Sequence, residues 1–172
     1  MWSIVVHALE SGLVLSAILF VLLLAILRAN PEIMLNDYPP DVREKWGPMA
    51  ARTKRQRALV AVALFIVVIG VVVWSLESLP VPGSSNLSFG TAFVHFFVMF
   101  GIFNVLDCFV LDWSLVLWQP RFMILPGTEG MAGYTDYWFH FRGFLIGIPI
   151  VLTTSALFAA IISLVAAGAR TR

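Results

Sequence analysis

The sequence predicts an all-α membrane protein, a bundle of four transmembrane helices. Lipid offers no partner to exposed backbone N–H and C=O groups, so long apolar runs in a membrane are expected to be helical. The composition agrees, because 60% of the residues are hydrophobic and only 12% are charged, against about a quarter charged in soluble domains. Four apolar stretches are close to the roughly 20 residues that a spanning helix needs: about residues 4–27, 58–74, 89–111 and 143–167.

One integral membrane domain is expected, residues 1–172. Four spans leave too little chain for an added soluble domain, which usually needs at least about 50 residues. Cys108 is the single cysteine, and this excludes an internal disulfide, a Cys-pair redox motif and a thiolate metal cluster. The net charge of +1 carries little information by itself. We expect membrane lipids, and not nucleic acid, as partners.

The basic residues predict the orientation. Nine of the eleven Lys and Arg residues lie in two loops, about residues 28–57 and 112–142. The positive-inside rule makes these loops cytoplasmic and places both termini outside. Each cytoplasmic loop is expected to hold a segment that lies at the membrane interface. The outer connection, about residues 75–88, is short and rich in Pro, Gly and Ser.

The first cytoplasmic loop is predicted to contain a short helix. Tyr38 to Pro40 is not helical, whereas Asp41 and Glu44 have the spacing of a capping box. The helix is expected to end at Gly47. The basic run at residues 52–57 is interpreted as a topology anchor at the lipid headgroups. A specific lipid or partner site is the alternative.

The fourth span carries a row of small residues at four-residue steps, which lets helix backbones approach closely. This face packs either within the chain or against a second copy or a partner membrane subunit. Pro149 lies within the same span and removes one helical hydrogen bond, so a kink is expected there. The members of the row are Gly143, Gly147, Val151, Ser155, Ala159, Ser163 and Ala167.

One candidate polar group lies at the outer side. His7 and Glu10 share a face of the first span, and His95 enters at a similar depth in the third span. A proton relay, a divalent metal site or two axial histidines for haem are compatible with these residue types. In the alternative, His7 and Glu10 lie at the wet interface and His95 hydrogen-bonds to a neighbouring helix.

The second polar group lies on the cytoplasmic half of the third span. Asp107 falls about one helical turn inside the interface marked by Trp113, where an acid needs a donor or a cation. Either it forms a structural ion pair that holds the third span against the fourth, with Arg121, His140 and Arg142 as candidate partners, or it belongs to a headgroup or ion site. His95 and Asn104 point in opposite directions on a straight helix, so two separate polar regions are expected. Thr135 or Asp136 is expected to cap the helix that becomes the fourth span. The ligand-binding candidates are Asp107, Asp112, Arg121, Glu129, Asp136, His140 and Arg142.

Two segments carry a resemblance to known proteins. The segments Leu35–Asp41 and Ile124–Met131, the latter followed by Asp136–His140, resemble those of a group of small bacterial four-span membrane proteins with no assigned activity. The resemblance covers most of the chain. It implies the bacterial cytoplasmic membrane and supplies no catalytic residues.

Three functions are therefore considered from the sequence. The first is a non-catalytic binding or transport-related protein whose cytoplasmic face engages a lipid headgroup, an ion or a partner subunit. The second is a membrane enzyme for a lipid-soluble substrate, with His140 as acid or base and Arg142 as an anion clamp. The third is a redox protein with haem on His7 and His95. No cofactor is identified from the residues.

Overall fold

The computed structural model describes residues 1–79 and 87–170, and this part of the chain is all-α, with 86% helix and no strand. In chain order the α-helices are α1 (Trp2–Ala29), α2 (Pro40–Trp46), α3 (Ala51–Glu77), α4 (Phe89–Leu106), α5 (Trp113–Trp118) and α6 (Tyr137–Arg170). A π-helix, Asp107–Asp112, joins α4 to α5 in one continuous rod. Short 3₁₀ helices lie at Pro31–Asp37, Arg121–Met123 and Ala132–Thr135.

The predicted fold class is confirmed. Four helices are long and apolar enough to cross a membrane, at Trp2–Ala29, Ala51–Glu77, Phe89–Trp118 and Tyr137–Ala167. The helices extend beyond the apolar stretches: α3 begins at Ala51 and includes the whole basic run, and the third span continues to Trp118. Of the predicted outer connection, residues 80–86 lie outside the described residues.

Helix α4 is the centre of the bundle. It packs against α1 on one side and α6 on the other, whereas α1 and α6 have little contact with each other. Helix α3 lies mainly against α1. The core contains a stack of rings, in which Phe96 and Phe100 of α4 both contact Phe158 of α6. Phe96 is fully buried.

Small residues let α1 approach α4. Ala8, Gly12 and Ser16 are buried and recur at four-residue steps, the spacing that permits close helix contact in membranes. A Cβ atom on Gly12 would lie 2.7 Å from the Met99 carbonyl oxygen. This second row of small residues was missed in the sequence, where only the row on the fourth span was identified.

The row on α6 packs against α4 over its middle part. Val151, Ser155 and Ala159 are buried, and a Cβ atom on Gly147 would overlap the side chain of Asn104. Gly143 departs from the prediction, because a Cβ atom there would meet nothing within 4 Å. The row therefore serves packing within the chain from Gly147 to Ala159, whereas its last member, Ala167, is exposed. Contact with another copy or a partner subunit through this face stays a prediction.

The two long loops pack on each other at one end of the bundle, which we call the loop end. Their shared cluster, called the cap, consists of Leu35, Tyr38, Val42, Met123, Leu125 and Tyr134. The Tyr38 hydroxyl donates to the Met123 carbonyl oxygen at 2.5 Å. Burial raises the pKa of Tyr38 above its ordinary value, so this phenol stays a neutral donor.

The predicted capping box is wrong. Helix α2 begins two residues earlier than expected, at Pro40, which was expected to be non-helical and is instead its first residue; Asp41 therefore lies inside the first turn. Its carboxylate instead accepts the backbone N–H of Gly133 at 2.9 Å and ties the first loop to the second. The predicted end of this helix at Gly47, which has φ +87°, is confirmed.

We expect Gly12→Ala to destabilise the protein. The added methyl group would meet a backbone carbonyl of α4, and overpacking of this kind typically costs about 1–3 kcal/mol. Gly70→Ala is the matched control, because a Cβ atom there meets nothing within 4 Å and Ala is the better helix former. Thermal unfolding in detergent, followed by circular dichroism, measures both. Equal melting temperatures for the two variants would contradict the close contact of α1 and α4.

Candidate functional site

A cavity of about 620 Å³ lies at the loop end, between the cap and the bundle. This volume is within the range that holds small-molecule ligands. Most of its wall is apolar, with polar groups from both loops, the π-helix and the start of α6. The lining comprises Leu23, Leu27, Met34, Asn36, Asp37, Tyr38, Pro39, Pro40, Asp107, Leu111, Asp112, Leu115, Met123, Gly133, Tyr134, Phe139, His140, Arg142, Gly143 and Ile146.

The π-helix directs two carboxylates into this cavity. Residues five apart on an α-helix lie about 140° from each other. In a π-helix the hydrogen bonds run from i to i+5, so residues five apart lie close to one turn from each other on one side. Asp107 and Asp112 begin and end the π-helix, and both line the cavity. Single π-turns are frequent at functional sites.

Asp112 forms the ion pair that links the third and fourth spans. His140 Nδ1 lies 3.1 Å from Asp112 Oδ2, and this distance fits an N–H group that donates to the carboxylate. The side chains are 15% and 29% exposed for His140 and Asp112, respectively. The other ring nitrogen of His140, Nε2, makes no hydrogen bond with a described residue. Asp112 thus has the structural role that the sequence suggested for Asp107.

Asp107 has no partner among the described residues, in either hydrogen bonds or ion pairs. Its three predicted partners are engaged elsewhere or lie apart. His140 pairs with Asp112, the guanidinium carbon of Arg142 lies 5.5 Å from the centre of the Trp138 ring, and Arg121 is exposed outside the cavity. An intramembrane acid without a protein partner is a functional-site candidate.

The first loop adds polar residues that sequence reasoning missed. Asn36, Asp37 and Tyr38 line the cavity from the side of the cap. Asp37 forms an ion pair with Arg57, with 3.6 Å between Asp37 Oδ2 and Arg57 Nη2. One feature of the sequence pointed to these residues, because the segment Leu35–Asp41 shares the resemblance with Ile124–Met131 of the second loop. In the structure, residues of these two segments pack together in the cap.

Three predicted site residues do not line the cavity. Glu129 is exposed and accepts the Gly127 N–H at 3.0 Å; hydrogen bonds from backbone N–H groups lower the pKa of its carboxyl. Asp136 accepts the Phe139 N–H at 3.0 Å and caps α6, as one of the two expected capping residues. Arg121 is exposed at the start of a 3₁₀ turn. Four of the seven candidates, namely Asp107, Asp112, His140 and Arg142, are brought together.

Exposed residues of the cavity lining lie at two places. Asn36 and Asp37 are exposed in the first loop, at the loop end. Gly143 is also exposed, and Ile146, about one helical turn into the apolar part of α6, is 63% exposed. We interpret these two places as openings, one at the loop end and one on the flank of the bundle, beside a surface suited to lipid. Nearby, Trp118 and Trp138 are 75% and 53% exposed, as is typical of side chains at a membrane interface.

His7 and His95, the histidines that the sequence places at the predicted outer side, lie together and form a separate group. His7 Nε2 is 2.9 Å from the Ser75 carbonyl oxygen, which fits an N–H donor. The Ser75 hydroxyl donates to Ser11 at 2.7 Å and lies 2.9 Å from His95 Nε2. The two imidazole centres are 5.7 Å apart. Glu10 is exposed and takes no part in this network among the described residues.

This geometry favours a structural role for the outer group. Both Nε2 atoms contact Ser75, so the network fastens α1 and α4 to α3. A metal or haem iron at either Nε2 atom would have to replace these hydrogen bonds, whereas His95 Nδ1 is buried without a hydrogen bond to a described residue. Within residues 1–79 and 87–170, no group of three or more His, Cys, Asp or Glu side chains has the arrangement of a metal site.

Comparisons with known proteins give no relative. No family model matches the chain, and no curated protein or solved structure shows significant similarity to it. The resemblance to small bacterial membrane proteins stays a prediction, and the functional argument rests on the cavity.

We expect Gly133→Ala to loosen the cap. The added Cβ atom would overlap the Asp41 carboxylate and lie 2.7 Å from Pro39 Cβ. The loops would have to separate, with a cost of about 1–3 kcal/mol for overpacking. Limited proteolysis and thermal unfolding measure the effect. Gly101→Ala, where a Cβ meets nothing within 4 Å, is the control, and equal protease resistance of both variants would argue against the contact.

Proposed function

We propose that this protein binds an amphiphilic molecule in the cavity at the loop end, without a catalytic step. Its four apolar helices fit an integral membrane protein. The polar part of the ligand lies against Asp107, Asp112, His140 and Arg142. Its apolar part lies along the leucine and methionine side chains of the wall. A lipid is the ligand that this arrangement favours among a lipid headgroup, an ion and a partner subunit.

The observation that carries the proposal is the pair of openings. A cavity for an ion or a small polar solute needs access only from water. This cavity also opens beside Gly143 and Ile146, at the flank of the bundle. An amphiphile matches both openings, because its apolar chain stays in the membrane while its headgroup reaches the carboxylates. Binding or transport of such a molecule is consistent with this access.

A membrane enzyme is the second candidate, and the Asp112–His140 pair favours it. A carboxylate that holds one nitrogen of an imidazole orients the other nitrogen as a base. A nucleophile is the missing element. The Cys108 thiol is buried and lies 3.9 Å from the His140 carbonyl oxygen, where it donates to the backbone. An enzyme at this site would therefore have to activate water.

We propose the bacterial cytoplasmic membrane as the location, with the loop end in the cytoplasm and both termini outside. The concentration of Lys and Arg in the two loops supports this orientation, and the resemblance to bacterial proteins supports the choice of membrane. The cavity would then open to the cytoplasm and to the inner leaflet.

Cysteine labelling from outside the cell tests the orientation. In a Cys108→Ala background, a cysteine at Ser3 should react with a membrane-impermeant maleimide, whereas cysteines at Glu44 and Glu129 should react only after the cells are opened. All three sites are exposed on the protein. Labelling of Glu44→Cys in intact cells would reverse the orientation.

Occlusion of the lateral opening tests the binding function. Gly143 lines the cavity and has free space at its Cβ position, so Gly143→Leu should fill the opening without disturbing the fold. We expect the purified wild type to retain lipid that this variant loses, as measured by mass spectrometry of extracted lipids. Gly70→Leu on α3, also with free space at Cβ and outside the cavity, is the matched control.

Equal lipid content in wild type, Gly143→Leu and Gly70→Leu would refute binding in this cavity. Recovery of lipid that the wild type has chemically altered would favour the enzyme. Circular dichroism of each variant separates loss of lipid from loss of fold.

A further inference from the structure

We propose that the ligand carries a primary ammonium group, which binds to Asp107. The inference rests on the proposed function and names the chemistry of the molecule that enters the cavity. The observations that carry it are the missing partner of Asp107 and the position of this residue in the wall of a cavity that also has apolar side chains.

One carboxylate of the cavity lining has no partner. Asp37 lies beside Arg57, and Asp112 lies beside His140. Arg142, the guanidinium of the lining, lies over the Trp138 ring and forms no ion pair with Asp107. Asp107 is left without a hydrogen bond or an ion pair to any described residue. A carboxylate without a partner, in mostly apolar surroundings, is complementary to a cation.

The depth of Asp107 limits the form of that cation. Its neighbour Cys108 lies beside the backbone of His140, one helical turn beyond Tyr137, where α6 begins. Asp107 shares the cavity wall with Gly143 and Ile146 of α6 and with Leu23 and Leu27 of α1, so a molecule that enters from the flank of the bundle meets this carboxylate beside apolar side chains. An ammonium group on an apolar chain can take this route while its chain stays in contact with lipid.

The hydrogen-bond acceptors of the site favour a primary ammonium group over a quaternary one. A primary ammonium group offers three N–H donors, like the lysine side chain. Asp107 and the free oxygen of Asp112 offer acceptors, and both lie on the cavity side of the π-helix. A charge-assisted hydrogen bond of this kind is among the stronger polar contacts in proteins. Aminophospholipids and free long-chain amines share this chemistry.

Chain-matched probes test the ligand chemistry. The purified protein in maltoside detergent is titrated with dodecylammonium and with dodecanol, and binding is measured by calorimetry. We expect wild type to bind dodecylammonium at least about tenfold more tightly, since hydrogen bonds to charged groups are worth more than neutral ones. Asp107→Asn should reduce the ratio to about one, and Asp107→Glu should retain the preference. Glu129→Gln, which removes an exposed carboxylate outside the cavity, should behave like wild type.

Vesicles distinguish the two sources of the amine. Protein reconstituted in phosphatidylglycerol with added phosphatidylethanolamine should melt at a higher temperature than in phosphatidylglycerol alone if an aminophospholipid is the ligand. Stabilisation by dodecylammonium without this difference assigns the site to a free amine. Both outcomes support an ammonium ligand, provided that Asp107→Asn removes the effect.

Two results would overturn the inference. The first is equal affinity of wild type for dodecylammonium and dodecanol, and this result does not depend on the folding of any variant. The second is an Asp107→Asn protein that keeps the ammonium preference. After either result, the Gly143→Leu variant separates the two proposals. If this variant prevents the binding of both dodecylammonium and dodecanol, the cavity binds amphiphiles but not through an ammonium group. If it prevents the binding of neither probe, the proposed function itself fails.

Discussion

The close contact of α4 with two neighbouring helices is the constraint on which the rest of the structure depends. Within lipid the hydrophobic effect gives little drive for helices to associate, so close packing must supply the attraction. Gly12 and its small neighbours on α1 meet one side of α4. Gly147, Ser155 and Ala159 on α6 meet the other side. Large side chains at these points would separate the helices and remove the contacts that hold the bundle together.

The position of α4 between α1 and α6 also creates the cavity. Helices α1 and α6 have little contact with each other, so other elements close the space between them toward the loop end. The π-helix forms the back of this space, and the cap closes the end. The opening on the flank remains. The cap is held by long-range hydrogen bonds, from Tyr38 to Met123 and from Gly133 to Asp41, and not by secondary structure that spans both loops.

The polar groups within the spans divide into two kinds. His7 and His95 both hydrogen-bond to Ser75, so this group links three helices as a structural network, although His95 Nδ1 has no partner among the described residues. At the loop end, Asp112 and His140 satisfy each other, but Asp107 has no such partner among the described residues. Acids within a membrane are costly unless a partner or water compensates them. The proposed ligand would compensate Asp107, which lies in the wall of the cavity.

The sequence by itself determined the fold class and the two polar regions. Apolar runs of spanning length allow only helices in lipid, and helical periodicity placed His95 and Asn104 on opposite sides of the third span. The α6 row was readable for the same reason, although its first member, Gly143, turned out to line the cavity. Asp136 was recognised as a helix cap because that contact is local.

The tertiary structure alone decided which of the polar residues meet. Sequence spacing assumes a regular helix, and the π-helix changes the relative direction of Asp107 and Asp112 by the widening of a single turn. The pairing of His140 with Asp112, the carbonyl contact of Gly12 and the role of Asp37 all depend on distances between segments far apart in the chain. Such distances follow from how helices cross and loops fold back, and hydrophobic periodicity carries no information about them.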